Sequence, residues 1–300
     1  MADLANPWML GPSDDRGVEV RCEGVVHLYR TFAGHDVVAL RGIDLTIAAG
    51  ERVAFLGPSG CGKSTLLTLL GGIQRPSAGR VFLGDEEISR LSERRLTMVR
   101  GRLVSTMLQG ASRNLLLYAT ARQNLAFSRL GAEDDAGDER SDRRDLPDDA
   151  ELLALVGLSD QRDQVVRTMS GGQRQRLALA CAVATGPRLL LADEPTSALG
   201  HDDREAVVAL LHQVATELGT TLVVVTHQAE VSATFPRTIT MRGGRIGAEG
   251  RSGSNYAVIG EEGIVHLPTE LVEQWPAGTL VRIEPDGDDK LVVTREASPS

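Results

Sequence analysis

Arg52-Val53-Ala54-Phe55-Leu56-Gly57-Pro58-Ser59-Gly60-Cys61-Gly62-Lys63-Ser64 joins an apolar run of strand length to a glycine-rich loop that ends in Lys-Ser. Gly57 to Ser64 matches G-x-x-x-x-G-K-[ST] in full. A helix is predicted from Lys63 to about Gly71, so the loop sits between a buried strand and a helix start. Glycines there let backbone N–H groups approach phosphate oxygens without a side-chain clash. The helix that follows aims its positive end at the anion. In such a loop Lys63 reaches the β- and γ-phosphates as a point charge, and Ser64 offers a hydroxyl to Mg²⁺. Lys63 and Lys290 are the only lysines of the chain, which makes Lys63 conspicuous.

Downstream, Leu189-Leu190-Leu191-Ala192-Asp193 is an apolar strand that ends in a carboxylate. A buried strand of this kind delivers Asp193 to the Mg²⁺ shell beside the phosphate loop. Glu194 follows directly, placed to polarise an attacking water as general base, and Pro195 ends the strand. Before that strand lies Ser170-Gly171-Gly172-Gln173. A hydroxyl and glycine N–H groups at a helix start make a second anion site.

The composition narrows the setting. With 42% hydrophobic residues and 300 residues, the chain can bury a sizeable core of small aliphatics. A formal charge of −9 argues against a generalised nucleic-acid surface. Three cysteines, Cys22, Cys61 and Cys181, are odd in number and widely spaced, so no disulfide framework or zinc pattern fits. No apolar run reaches membrane-spanning length, and the acidic N-terminus does not read as a signal peptide. Any membrane role is therefore expected to pass through a partner.

Residues 1–19 read as a loose tail. Strand-like alternation begins at Val20, a second strand covers Val37 to Ile47, and the segment Glu86 to Arg102 is Arg-rich and amphipathic. A strand from Val104 stops at Gln109, and residues 111 to 130 look helical. The run of Asp, Glu and Arg within 132–150 has no apolar periodicity and reads as a solvated insertion. Helices are expected near Ala150 to Val156, Gly172 to Ala184 and Asp203 to Leu218, and a further strand over Thr221 to Val225. Alternating strands and helices predict an α/β fold with a parallel sheet covered on both faces. Gly247 to Ser254 is Gly/Ser-rich, and residues 249–255 read as a linker to a small β-rich unit over 256–297.

These motifs, in this order over residues 20–248, resemble the ATP-binding-cassette (ABC) family of P-loop ATPases. Thr168-Met169-Ser170-Gly171-Gly172-Gln173 resembles the family's signature motif, with Met169 in place of the commoner Leu. Gln109 resembles its Q-loop residue, Ser197-Ala198-Leu199 its D-loop, and Thr226-His227 its H-loop. The resemblance implies a RecA-like core, an antiparallel β subdomain and a helical subdomain at about 110–180. It implies that Tyr29 stacks on adenine, and that Gly57, Ser59, Gly60, Cys61, Gly62, Lys63, Ser64 and Thr65 surround the phosphates. Catalysis would rest on Glu194, with Gln109 sensing metal and water and His227 holding the γ-phosphate geometry. Mg²⁺ would be held by Ser64, Gln109 and Asp193. Ser170, Gly171, Gly172 and Gln173 would face the ATP bound to a second subunit, so the active form is a homodimer around two ATP. The D-loop commonly ends in Asp, where this chain has Gly200, which puts the coupling of the two sites in question.

The arginines between Ile88 and Gln109, with Asn114-Leu115-Leu116-Leu117 and Asn124-Leu125, resemble the lipoprotein-release and macrolide-exporter branch. That branch implies a separate integral-membrane permease with four membrane helices, and a cassette held peripherally at the cytoplasmic face of the plasma membrane. An importer ATPase shares much of the pattern. A soluble, non-transport cassette is the more distant alternative, since no second cassette, heptad run or zinc pattern is present. The C-terminal unit resembles a swapped-hairpin domain of transition-state regulators and antitoxins. Its acidic residues outnumber Arg282, Lys290 and Arg295, which implies dimerisation or regulation and no nucleic-acid binding.

Overall fold

A computed structural model of the chain describes residues 17–30, 35–133, 146–251, 254–257, 275, 279–287 and 291–295. The tail over 1–16, most of the expected acidic insertion and the stretch 258–274 of the C-terminal unit lie outside the described residues.

From the N-terminus, β1 (Val20–Arg30) and β2 (Asp36–Ile47) form an antiparallel pair, and β3 (Arg52–Leu56) leads into α1 (Lys63–Leu70). β4 (Ala78–Leu83) and the short β5 (Glu86–Glu87) return to β1, followed by α2 (Glu93–Leu103) and β6 (Val104–Met107). Three helices come next: α3 (Ala121–Glu133), α4 (Asp149–Leu155) and α5 (Gly171–Val183). β7 (Leu189–Asp193), α6 (His201–Leu218), β8 (Thr221–Thr226) and α7 (Ala229–Ser232) alternate in turn. β9 (Arg237–Arg242), β10 (Arg245–Arg251) and β11 (Ser254–Ala257) complete the main sheet, and β12 (Val281–Pro285) pairs with β13 (Leu291–Arg295) in a separate hairpin.

Two sheets carry the cassette. A four-stranded antiparallel sheet has the order β2-β1-β4-β5, and a seven-stranded sheet has the order β11-β10-β9-β3-β8-β7-β6. From β9 to β6 the neighbours run parallel. The apolar strands bury both faces, as a parallel sheet requires. Leu189 and Leu191 of β7 point into one core with Val53, Phe55, Val223 and Val225, beneath α1 and the antiparallel sheet. Leu190 and Ala192 point into the other, with Ala54, Leu222 and Val224, beneath α5 and α6. The pleat alone assigns successive residues to opposite cores. Arg237 is buried where β9 passes the turn before β3. Its guanidinium pairs with Glu51 at 3.1 Å and Glu249 at 2.9 Å and donates to Thr46 O at 2.8 Å.

Two expectations change. Residues 249–255 are not a linker through their length. Ala248 to Arg251 pair with Ala257 to Ser254, and β11 becomes the edge of the main sheet. Glycine and serine lower strand propensity, but ladder hydrogen bonds come from the backbone and form without a side chain. Residues 111 to 120 are also not helical beyond a single turn of 3₁₀ helix at Ala111–Arg113, and α3 starts only at Ala121. Asparagine side chains bind the backbone there and replace the helical bonds.

Candidate active site

The phosphate loop leaves β3 and closes on α1. Gly62 sits at φ 103°, immediately before Lys63, and a Cβ there would lie 2.6 Å from Ala39 O. Only glycine meets both demands. Gly57 N–H donates to Thr226 O at 3.4 Å, which ties the loop to the end of β8. The Lys63 ammonium is buried and donates to Gly57 O at 2.7 Å and Pro58 O at 3.1 Å. It thus braces the loop carbonyls from inside, while the loop amides remain for an anion. Cys61 is buried, its thiol packed over Gly57. Ser59 and Gly60 lie exposed at the loop tip.

β7, next to β8 in the sheet, brings the acidic pair alongside. Ser64 Oγ donates to Asp193 Oδ1 at 3.1 Å. The Asp193 carboxyl is pushed up from its ordinary value, mainly by burial. The Ser64 hydrogen bond opposes this, Glu194 adds to it, and Lys63 and Arg113 also oppose it. A half-buried acid with a hydroxyl oxygen bonded to it is a donor set suited to a hard divalent cation. The residues present therefore fit Mg²⁺.

Glu194 is the sole non-glycine residue with positive φ among the described residues, at 48°. This left-handed turn costs about 1 kcal/mol or more for a side chain such as Glu. The turn is held by Glu194 N–H donating to Val225 O at 3.0 Å and by Ser197 N–H donating to Glu194 O at 3.2 Å. It aims the carboxylate at His227, whose Nδ1 lies 2.9 Å from Glu194 Oε2. A carboxylate accepts only, so Nδ1 carries the proton and donates. Glu194 is 9% exposed, and His227 is half exposed at the end of β8.

Lys63, Ser64, Asp193, Glu194 and His227 therefore come together at the C-terminal ends of β3, β7 and β8. Open parallel sheets bind ligands at that end. Tyr29 reaches the same place from β1. Its hydroxyl donates to Gln74 Oε1 at 2.9 Å and lies 3.3 Å from Thr65 Oγ1, and its ring meets His27 edge-on at 4.7 Å. Gln109 stands exposed just past β6, the strand beside β7. Sequence reasoning missed Arg113, in the turn after Gln109, whose charge acts on Asp193. Its position within one turn of Gln109 was the available signal.

The signature residues lie elsewhere. Among the described residues, no hydrogen bond joins Ser170, Gly171, Gly172 or Gln173 to the phosphate loop of the same chain. Ser170 caps α5 and accepts from Gln173 N–H at 3.2 Å, and Gln173 Oε1 accepts from Ser170 N–H at 2.8 Å. This reciprocal cap fixes the first turn of α5. Asp203, in the first turn of α6, packs against Gly172 so closely that a Cβ there would meet its carboxylate at 2.2 Å.

A family model described as "ABC transporter" matches residues 40–197. The chain is 40% identical over 217 residues to a macrolide export ATP-binding/permease protein, MacB, of Rhodopirellula baltica. That match covers 72% of this chain and 31% of MacB. It is 37% identical over 230 residues to a lipoprotein-releasing system ATP-binding protein, LolD 1, of Rhodopseudomonas palustris, covering 76% of this chain and 97% of LolD 1. It is 41% identical over 230 residues to a methionine import ATP-binding protein, MetN 2, of Rhodococcus jostii, covering 76% and 64%. Among solved structures, a dimeric ATP-binding cassette in a post-hydrolysis state with ADP and Pi superposes with a TM-score of 0.67 at 31% identity, covering 77% of this chain and 98% of that one. The phosphate loop, the acidic strand end and the capped signature helix thus occur in a fold and a sequence shared with such cassettes, and the chain belongs to the ABC transporter family as an ATP-binding cassette.

Proposed function

We propose that this cassette hydrolyses ATP as a homodimer that sandwiches two nucleotides, and that its closure drives a separate membrane permease. The observation that carries the reading is the strained Glu194, held by His227 beside the Ser64–Asp193 pair at the mouth of the phosphate loop. Glu194 takes the proton of the attacking water, and His227 fixes the carboxylate and faces the γ-phosphate. Lys63 holds the phosphates, Thr65 and the loop amides complete the cradle, and Tyr29 stacks on the base. Ser64, Asp193 and Gln109 would hold Mg²⁺, which would supply neutralisation of phosphate charge. Ser170, Gly171, Gly172 and Gln173 complete the site of the second subunit, which fits their separation from their own phosphate loop. Phosphate release that depends on both ATP and Mg²⁺ tests the reading; a chain that binds neither nucleotide nor metal would reject it.

No described helix is long and apolar enough to cross a membrane. On the likeness to LolD 1 and MacB, the cassette is assigned to the cytoplasmic face of the membrane, held there by its permease. The docking surface is an apolar groove of about 650 Å³ beyond Gln109, lined by Leu116, Tyr118, Ala126, Phe127 and Leu130. Tyr118 is 84% exposed and Phe127 58%, well outside what a solvated face needs. A cytoplasmic helix of the permease fits such a groove by burying its own apolar stripe. Phe127→Asp is expected to leave ATP hydrolysis by the free cassette unchanged and to weaken co-purification with the permease by at least about tenfold, the cost of a charge in a desolvated contact. Undiminished co-purification would place the contact elsewhere.

The permease is assigned to the four-helix exporter or mechanotransmission type, on the Arg-rich approach to Gln109 and the likeness to LolD 1 and MacB. The likeness to MetN 2 favours an importer as the second reading. A neighbouring gene with four membrane spans and a large extracytoplasmic domain separates the two. The cassette domain is assigned to residues 20–257, with β10 and β11 in its main sheet, and the C-terminal unit, with its β12–β13 hairpin, to dimerisation or regulation without nucleic acid.

A further inference from the structure

Two asparagines between Gln109 and the groove make the same arrangement. Asn114 Oδ1 accepts from Leu108 N–H at 2.8 Å, and Asn114 Nδ2 donates to Leu108 O at 2.9 Å and Gly110 O at 3.2 Å. The carboxamide thus pairs with both backbone groups of the residue before Gln109 and with the carbonyl of the residue after it. A neighbouring strand would bind Leu108 in the same way. Beneath it, Arg113 N–H donates to Gly110 O and Asn114 N–H to Ala111 O, each at 3.0 Å. The loop is closed, and Gln109 is left exposed at its apex.

Farther along, Asn124 repeats the device on Leu116. Its Oδ1 accepts from Leu116 N–H at 2.7 Å, and its Nδ2 donates to Leu116 O at 3.1 Å and Thr120 O at 2.9 Å. Asn124 is buried, and Leu115, between the two clamped leucines, is anchored in the core. Leu116 itself lines the groove.

We propose that Asn114 is a positioning residue for Gln109. The inference rests on the role given to Gln109 above. Asn114 touches neither substrate nor metal. It acts by fixing the backbone on both sides of Gln109. An asparagine that merely favoured the turn would tolerate other turn formers. This one uses its amide hydrogens on two carbonyl oxygens, so aspartate, of equal shape, turns donors into an acceptor facing acceptors.

The test compares Asn114→Asp, Gln109→Ala and the double variant in the full chain, with kcat, ATP Kd and thermal midpoint measured on each. Asn114→Asp is expected to lower kcat by about 10- to 100-fold, the usual consequence of a small misplacement of a reacting group, with ATP Kd and midpoint near wild type. The double variant should be no slower than the slower single, since one residue acts through the other. Asn114→Ala, which removes the donors without adding repulsion, should show the same kcat split in milder form. Wild-type kcat in Asn114→Asp alongside an impaired Gln109→Ala would overturn the inference alone. So would losses that multiply in the double variant. An unimpaired Gln109→Ala would overturn the assignment of Gln109 and the inference with it.

Discussion

Glu194→Gln is expected to bind ATP as the wild type does and to turn over about 10²- to 10⁴-fold more slowly, a loss of roughly 3–5 kcal/mol of transition-state stabilisation. The geometry makes this a clean substitution. Glutamine has the size of glutamate, can keep the same left-handed turn, and can still accept from His227 Nδ1, now 2.9 Å from Glu194 Oε2. What it cannot do is take a proton from water. The phosphate loop, with Lys63 braced on Gly57 and Pro58, is untouched. ATP should therefore persist in the site and hold two subunits closed, so the variant should run as a dimer in size-exclusion chromatography only when ATP and Mg²⁺ are present. Turnover within tenfold of wild type would show that the base is another group.

Ser170→Asp in that Glu194→Gln background is expected to abolish the ATP-dependent dimer while leaving ATP binding to the single subunit intact. Aspartate caps a helix as well as serine does and can accept from Gln173 N–H in the same way. The fold of α5 should therefore hold, and the thermal midpoint should stay where it was. What changes is a negative charge on the surface proposed to approach the partner subunit's γ-phosphate. Two unit charges about 4 Å apart near a protein surface repel by about 4 kcal/mol, and the substitution meets both nucleotides of the dimer, so dimerisation weakens by more than about a thousandfold. A dimer of undiminished stability would mean that Ser170 does not face the second nucleotide.

Much of this was legible in the chain. The phosphate loop, the apolar strand ending in Asp193-Glu194 and the alternation that gives the parallel sheet are patterns of side chains, and side chains are what a sequence displays. The assignment of Leu189 and Leu191 to one core and Leu190 and Ala192 to the other follows from the pleat once both faces read as apolar. The parts that were not legible are events of the backbone. The Gly/Ser-rich stretch before β11 looks too poor in strand-forming residues to pair, yet it adds an edge strand by main-chain bonds alone. The run after Gln109 is rich in leucine and reads as helical, but Asn114 and Asn124 intercept the backbone groups a helix would use. The turn at Glu194 left no trace in composition, since glutamate is an ordinary residue in a place where it is a costly one.

At φ 48°, glycine would sit at position 194 without the steric penalty that glutamate bears. Glycine there would trade that penalty against its own greater chain entropy and the lost hydrogen bond from His227, so the strained turn is bound up with the contact that orients the carboxylate proposed as the base.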